Sequence, residues 1–154
     1  MQSNIEEEFD KGTKIASVTA TINSNTTISS TGTNVKLNLN SIVSNNSEFE
    51  LSGDGGIICP YTGTVLVTVS AMVSPRKGYV GLTVFKNTTS AVDYYEPSGT
   101  QEYGCISFAN RPISVSAGDK LYLYARSSVA NDTIESSSRT NLNVMYIDFS
   151  EESE

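Results

Sequence analysis

Three carboxylates in one short stretch are the residues of this chain best placed for acid–base chemistry. Asp93, Glu96 and Glu102 follow one another closely, and a pair of carboxylates flanking a glycosidic bond is the machinery of most glycoside hydrolases. The general acid of such a pair needs a raised pKa, which requires burial. Residues 94–104, YYEPSGTQEYG, have the composition of a solvated loop. The sequence therefore disfavours catalysis there, and we predict no catalytic residue.

The same segment also contains three tyrosines, Tyr94, Tyr95 and Tyr103. A tyrosine side chain offers a large flat surface with a polar tip at low entropic cost, which suits stacking on a carbohydrate or contact with a protein. We therefore predict a ligand-contact region formed by Tyr94, Tyr95, Glu96 and Tyr103. The alternative is that these rings pack against the base of their own loop or against a neighbouring subunit.

The chain has no histidine and two cysteines, Cys59 and Cys105. The missing histidine excludes a Ser-His-Asp or Cys-His catalytic arrangement, a histidine zinc ligand and a histidine pH switch. Two cysteines are too few for a disulfide framework or a thiolate metal site. We expect two buried thiols, with a disulfide between them as the alternative.

Charge and hydropathy exclude two classes of partner. Ten basic and seventeen acidic residues give a net charge of −7, whereas nucleic acids and anionic membranes bind positively charged patches. No stretch approaches the roughly 20 apolar residues of a membrane-spanning helix.

The first residues, MQSNIEEEFDKG, lack the apolar core of a secretory signal. We expect a protein that does not use that export route, or the trimmed form of a longer parent.

The elements that position these residues are predicted to be β-strands. No window of the sequence keeps helical periodicity, whereas short β-rich runs bounded by Gly, Pro, Asn, Asp or Ser recur along it. The ten runs are KIASVTATI, NVKLNLNSIV, FEL, GIIC, TVLVTVSAMV, YVGLTVFKN, YGCISFA, ISVS, KLYLYARSS and NLNVMYIDF. Their spacing and the turns between them predict an all-β sandwich.

A chain of 154 residues with 38% hydrophobic content suits one domain. We divide it into a charged arm over residues 1–13, the β domain over 14–149 and a solvated tail over 150–154. Residues 23–34 are rich in Ser, Thr and Asn and are expected to form a loop or a long edge connection. Asp54 in SGDGG is expected to lie in a glycine turn rather than to act as a ligand carboxylate.

Several predicted strands are largely apolar on both faces. In KLYLYAR, Leu121 and Leu123 point to one side, whereas Tyr122, Tyr124 and Arg126 point to the other. One face fills the space between the two sheets of a sandwich, but no predicted helix covers the second. The simplest cover is a further copy of the same chain, so we predict a homo-oligomer. Overhanging loops are the alternative.

Four motifs, taken in order, resemble a known family. They are CPYTG at 59–63, VFKN at 84–87, VSAGDKLYL at 115–123 and NLNVMY at 141–146. In order and spacing they resemble the globular heads of the complement first component's q subcomponent and of the tumour necrosis factor superfamily. The match covers residues 49–149.

The resemblance implies a ten-strand jelly-roll sandwich that assembles as a tight homotrimer around an axis lined by aromatic and aliphatic side chains. It makes Tyr122, Tyr124, Arg126 and Tyr146 candidates for the subunit interface, where Arg126 is expected to pair with an acidic group of another chain. The calcium-binding acidic cluster of some such heads is not recognisable here. We therefore predict no metal and no cofactor.

Two features of the sequence differ from those of animal members of that family. It has no Gly-X-Y stalk before the head, and its Asn/Ser/Thr-rich, tryptophan-free composition is more typical of a bacteriophage or bacterial version. We predict a non-enzymatic trimeric binding head of a surface fibre, on a virion or alternatively on a bacterial cell, contacting a host glycan or surface protein. The alternatives are a structural knob that decorates a capsid or trimerises a fibre, and an enzyme, which the missing histidine disfavours.

Overall fold

The computed structural model describes residues 15–74, 77–96 and 104–150, and these residues form β-strands with no helix among them. None of them therefore lies in a helix long and apolar enough to cross a membrane. The strands are β1 (Ser17–Thr21), β2 (Thr26–Ile28), β3 (Val35–Leu37), β4 (Ser41–Asn45), β5 (Glu50–Leu51), β6 (Ile57–Ile58), β7 (Thr62–Val73), β8 (Val80–Lys86), β9 (Thr89–Glu96), β10 (Gly104–Val115), β11 (Lys120–Ser127), β12 (Asp132–Ile134) and β13 (Asn141–Ser150).

The strands form two antiparallel sheets, which confirms the all-β prediction. Sheet A has the order β2-β12-β7-β13-β1-β4, and β10 also pairs with β7. Sheet B has the order β5-β6-β11-β8-β9, and β3 also pairs with β11. Strands that neighbour each other in a sheet are mostly distant in sequence, as expected of a jelly roll.

The core lies between the two sheets and follows from the alternation of side chains along each strand. Val65, Val67 and Val69 of β7 are fully buried on the sheet A side, and Leu121 and Leu123 of β11 are fully buried on the sheet B side. Burying each such side chain stabilises the fold by about 1.5–3 kcal/mol relative to exposure. One hydrophobic cluster joins both sheets.

The prediction of ten strands is wrong, because the described part of the chain alone contains thirteen. The run NVKLNLNSIV divides in two: β3 pairs with β11 in sheet B and β4 pairs with β1 in sheet A. The hydrophobic pattern does not change where the chain crosses from one sheet to the other, so the sequence does not reveal this crossing. Three further strands, β2, β9 and β12, were not predicted. β2 and β12 have three residues each, and β9 lies partly in a segment with loop composition.

Conversely, the runs YGCISFA and ISVS belong to one strand, β10. They looked separate because Asn110, Arg111 and Pro112 stand between them. Asn110 has φ +57°, and the pairing with β7 shifts register between Phe108 and Arg111. Among the described residues β10 pairs with β7 alone, and an edge strand tolerates a proline and a bulge that a central strand would not.

Two turn predictions fare differently. Residues 23–34 contain β2, so they are not wholly a loop. The turn at Asp54 is confirmed, since Gly53 and Gly55 on either side have φ values of +83° and +103°. Those angles lie in the left-handed region, which glycine enters without steric cost.

The prediction of two buried thiols is half wrong. Both cysteines are free; Cys59 is buried and Cys105 is exposed. Cys105 faces outward because it lies on β10 between the inward-facing Gly104 and Ile106. Burial raises the pKa of the Cys59 thiol to about 12, so this thiol stays protonated at neutral pH and packs as a small apolar side chain.

Candidate functional site

The outer face of sheet B presents ordered rows of side chains, because β11, β8 and β9 lie side by side. The rows across the three strands are Tyr122 and Phe85; Tyr124, Thr83 and Asp93; and Arg126, Gly81 and Tyr95. We call the surface formed by Tyr79, Phe85, Tyr95, Tyr122 and Tyr124 the tyrosine face. Sequence alternation correctly placed Tyr122, Tyr124 and Arg126 on one side of β11, but it did not show which strands lie beside them.

At one end of this face, Tyr122 is held by a hydrogen-bond network. Its hydroxyl donates to Asp54 Oδ2 at 2.8 Å, and the Ser52 hydroxyl donates to Oδ1 of the same carboxylate. The bonds from Ser52 and then Tyr122 lower the pKa of Asp54. Burial, followed by the bond to this carboxylate, raises the pKa of Tyr122. The Lys36 ammonium lies 5.1 Å from the ring centroid, in a cation–π contact.

At the other end, Arg126 and Tyr95 form a stacked pair. The guanidinium carbon lies 4.6 Å from the Tyr95 ring centroid, and Nη2 donates to the Tyr95 hydroxyl. Tyr79 meets Tyr95 edge-on, with centroids 6.2 Å apart. Within the described residues Arg126 has no carboxylate partner, and its buried Nε has no hydrogen-bond partner.

A carboxylate lies between these two ends. Thr83, only 2% exposed, donates to Asp93 Oδ1 at 2.8 Å, and the Ser90 hydroxyl donates to the same atom at 3.3 Å. Beside this row, the centroid of the Tyr124 ring lies 4.4 Å from that of Phe85 in the neighbouring row. Asp93 is therefore an exposed carboxylate of fixed orientation, bordered by rings.

Two glycines lie beneath the rings. A Cβ at Gly56 would lie 2.7 Å from Cε1 of Tyr122, and a Cβ at Gly81 would collide with the Tyr95 ring. The rings therefore occupy space that any other residue would fill. This packing also accounts for part of the apolar second face of β8, because Gly81 is covered by a ring of its own sheet and Thr83 is bonded to Asp93.

The predicted contact region divides at β9. Only Tyr95 lies on the tyrosine face; Tyr94 points to the opposite side, where its ring lies 5.7 Å from Phe108 and its hydroxyl donates to Glu96 at 3.2 Å. The prediction that these residues form a loop is wrong up to Glu96, because they pair with β8. Tyr103 lies outside the described residues.

The same geometry separates the predicted carboxylate pair. Asp93 and Glu96 are three residues apart on β9, so their side chains lie on opposite faces of the sheet. They cannot flank one glycosidic bond. Glu102 lies outside the described residues.

Tyr146 lies far from the other interface candidates. It belongs to β13 of sheet A and is 5% exposed. Its hydroxyl donates to the Tyr61 carbonyl at 2.6 Å and accepts from the Tyr61 amide at 3.0 Å, and burial raises its pKa. An isolated chain thus offers little of this side chain to a partner, and we do not include it in the interface proposed below.

Sequence reasoning missed a surface on sheet A. Ile15 and Ile147 are 56% and 57% exposed, and continuing the register of β1 with β13 places them opposite each other. Met145 is paired with Leu66 in the next row. We call Ile15, Leu66, Met145 and Ile147 the aliphatic patch. The alternation of β13 already placed Met145 and Ile147 on one face, but the interface candidates were chosen among aromatic residues.

The edge strand β4 next to this sheet exposes two more apolar side chains, Ile42 at 39% and Val43 at 66%. Among the described residues, the remaining large hydrophobic side chain with comparable exposure is Tyr95 at 41%. Exposed aliphatic side chains are thus concentrated on sheet A, and exposed aromatic surface on sheet B.

Metal centres and enclosed cavities are two other kinds of site. The described residues contain no group of three or more Cys, Asp or Glu side chains arranged to hold a metal ion. A cavity of about 250 Å³ lies at one end of the sandwich, where Tyr61 stacks on Phe149 at 4.7 Å. Its volume is below the range of about 300–1,000 Å³ that is typical of small-molecule sites.

No protein-family model matches the sequence, and no curated protein matches it. The fold, however, resembles solved structures. Eiger, a tumour necrosis factor from S. frugiperda, is 12% identical with a TM-score of 0.70, over 90% of this chain and 96% of that one. Murine APRIL is 14% identical with a TM-score of 0.70, over 87% and 100%. The globular domain of a zebrafish complement 1qA protein is 14% identical with a TM-score of 0.59, over 88% and 99%.

At these identities the likeness shows the fold alone. The fold is the jelly roll of tumour necrosis factor and complement heads, as the motifs predicted. The oligomeric state, the ligand and the biological setting are matters for proposal.

Proposed function

We propose that this chain is the head of a homotrimeric, non-enzymatic binding protein, carried on a phage or bacterial surface fibre, that contacts a host glycan or surface protein. The carrying observation is that exposed aliphatic and exposed aromatic residues lie on opposite sheets. Such a division suits a subunit with one face for its own copies and another for a ligand.

The aliphatic patch is the proposed assembly surface. Water-exposed Ile15 and Ile147 gain about 25 cal/mol for each Å² of apolar area that a partner buries. The central parts of homo-oligomer interfaces are enriched in apolar residues and depleted of charge. An interface through Tyr122, Tyr124 and Arg126 stays a prediction, and it competes with this proposal.

A binding role is better supported than catalysis. The chain lacks histidine, and Asp93 and Glu96 lie on opposite faces of sheet B. The tyrosine face instead offers fixed rings with polar groups between them, which suits recognition.

The setting on a virion, or alternatively on a bacterial cell surface, rests on the Asn/Ser/Thr-rich, tryptophan-free composition. A structural knob without a ligand is the second candidate function, since the aliphatic patch would serve it equally well. A binding head should bind a ligand through the tyrosine face, whereas a structural knob should not.

Two measurements on the intact chain test the proposal. Light scattering after size exclusion should give a mass near three times 16.5 kDa at all concentrations, and labelled protein should bind host bacteria. A monomer would contradict the trimer. A trimer that binds no cells would favour the structural knob.

A further inference from the structure

We propose that the tyrosine face binds a neutral carbohydrate, with sugar rings stacked on Tyr95 and Tyr124 and sugar hydroxyls bound by Asp93 and Arg126. The proposal rests on the function proposed above, because it assigns the ligand class of that binding head. It also moves the predicted contact site from a loop to a sheet face.

The first argument is that the rings are held in place before any ligand binds. Gly81 of β8 leaves the space that the Tyr95 ring occupies, and Arg126 stacks on that ring from β11, on the other side of β8. Tyr124 is fixed against Phe85 at 4.4 Å. Since these rings lose little further freedom on binding, stacking on them has a low entropic cost.

The second argument is the chemistry between the rings. Asp93 is exposed, and its Oδ1 is oriented by Thr83 and Ser90, while its Oδ2 accepts no hydrogen bond from the described residues. A carboxylate accepts hydrogen bonds from sugar hydroxyls, and a guanidinium donates to their oxygens. Bonds to charged groups are about twice as strong as neutral ones. Asp93 and Arg126 lie in adjacent rows, on strands that flank β8.

The third argument concerns which occupant fits. A sugar ring has apolar C–H faces and a polar rim, which matches alternating rings and charged groups. A second copy of this chain is better served by the aliphatic patch, where exposed isoleucines are concentrated. The carboxylates of Asp54 and Asp93 on or beside the face, and the net charge of −7, favour a neutral sugar over an anionic one.

The test uses the intact chain against three sets of immobilised probes. These are neutral oligosaccharides, oligosaccharides carrying uronic or sialic acids, and protease-digested bacterial surface polysaccharide. The variants are Tyr95→Ala and Asp93→Asn. Asp148→Asn is the matched control, because Asp148 is an exposed carboxylate of sheet A whose Oδ1 is likewise held by a hydrogen bond, in its case from the Thr64 amide.

We expect the wild-type chain to bind neutral probes, and each variant to weaken this binding by about tenfold or more, the equivalent of about 1.4 kcal/mol. The control should bind like the wild type. Because Asp93 is exposed, Asp93→Asn should keep the wild-type melting temperature, and both variants should keep the wild-type solution mass.

Four outcomes would overturn the inference. Neutral-sugar binding that both variants retain would place the ligand elsewhere, and binding confined to acidic probes would contradict the ligand class. Binding to untreated cells but to no polysaccharide would mean a protein partner and leave the binding-head function intact. Binding to neither cells nor sugars would overturn the binding-head function as well.

Discussion

The two outer faces of this sandwich are both formed by every second residue of their strands, but their side chains pack in different ways. On sheet B the outward residues interlock, since Tyr95 covers Gly81, Tyr124 packs on Phe85 and Thr83 bonds to Asp93. On sheet A the outward Ile147 remains 57% exposed. A strand pattern that is apolar on both faces therefore does not always have the same structural cause. It is partly satisfied within the chain on one sheet and left open to a partner on the other.

The largest expected effect comes from placing a charge on each face. Ile147→Asp should dissociate the proposed trimer, lowering the mass from about three times 16.5 kDa to 16.5 kDa, because a carboxylate would be buried without a partner. Tyr95→Asp should leave the mass unchanged. Light scattering after size exclusion measures both. The reverse result would assign the interface to Tyr122, Tyr124 and Arg126 and exchange the roles of the two faces.

The second test compares a tyrosine inside the sandwich with one on its surface. Tyr146→Phe leaves the Tyr61 amide and carbonyl without their partner, so the free energy of unfolding should fall by about 1–3 kcal/mol. Tyr95→Phe removes an exposed hydroxyl and should change it by no more than about 0.5 kcal/mol. Urea unfolding curves measure both changes, provided that the free energy of unfolding depends on urea concentration with the same slope in each variant. Equal effects would mean that the surface network contributes to stability as much as the core does.

The third test uses pH to probe the Tyr122–Asp54 bond. Because the pKa of Tyr122 is raised above 10.0, its contribution to stability is complete below that pH and is lost as pH rises through the raised value. Because the pKa of Asp54 is lowered below 3.8, its contribution is present above that pH and is lost as pH falls through the lowered value.

The difference in urea midpoint between the wild type and Tyr122→Phe should therefore be constant near neutral pH and shrink at both extremes. Tyr124→Phe is the control, because no hydrogen bond of its hydroxyl to a described residue is found. A difference that does not depend on pH would show that the Tyr122 hydroxyl does not stabilise the fold through its bond to ionised Asp54.

The mildest test concerns the two thiols and changes no residue. Cys105 is exposed on β10 and should react with a thiol reagent in the native protein, whereas Cys59, buried and with its pKa raised to about 12, should not. We expect one labelled thiol per native chain and two after denaturation. Labelling of both thiols in the native state would place Cys59 outside the core.

Parts of this structure were accessible from particular residues. Val65, Val67 and Val69 recur at every second position of a β-rich run, and all three are fully buried. Asp54 between glycines predicted a turn, and positive φ angles on both sides confirm it. The motif order predicted the jelly roll, which the similar structures confirm. These predictions held because each depends on a local pattern.

Other predictions failed where local composition and tertiary pairing disagree. The stretch YYE looked like part of a loop, but β9 continues to Glu96 because β8 offers it a pairing partner. Cys105 looked like a core thiol, yet its position in the alternation of β10 points it outward. Tyr146, which was grouped with Tyr122 and Tyr124, lies in the other sheet and bonds to Tyr61; its place at a subunit interface stays a prediction.

The sequence by itself determined the fold class, since period-two alternation, turn residues and the absence of helical periodicity act over a few neighbouring residues. It also excluded histidine chemistry outright. Only the tertiary structure decided which faces are shared, because pairing β8 with β9 and β11 brings together side chains that lie dozens of residues apart. The alternation of side chains within a strand is local, whereas the whole sheet decides which strands lie side by side. The candidate site is formed by residues of strands that lie side by side.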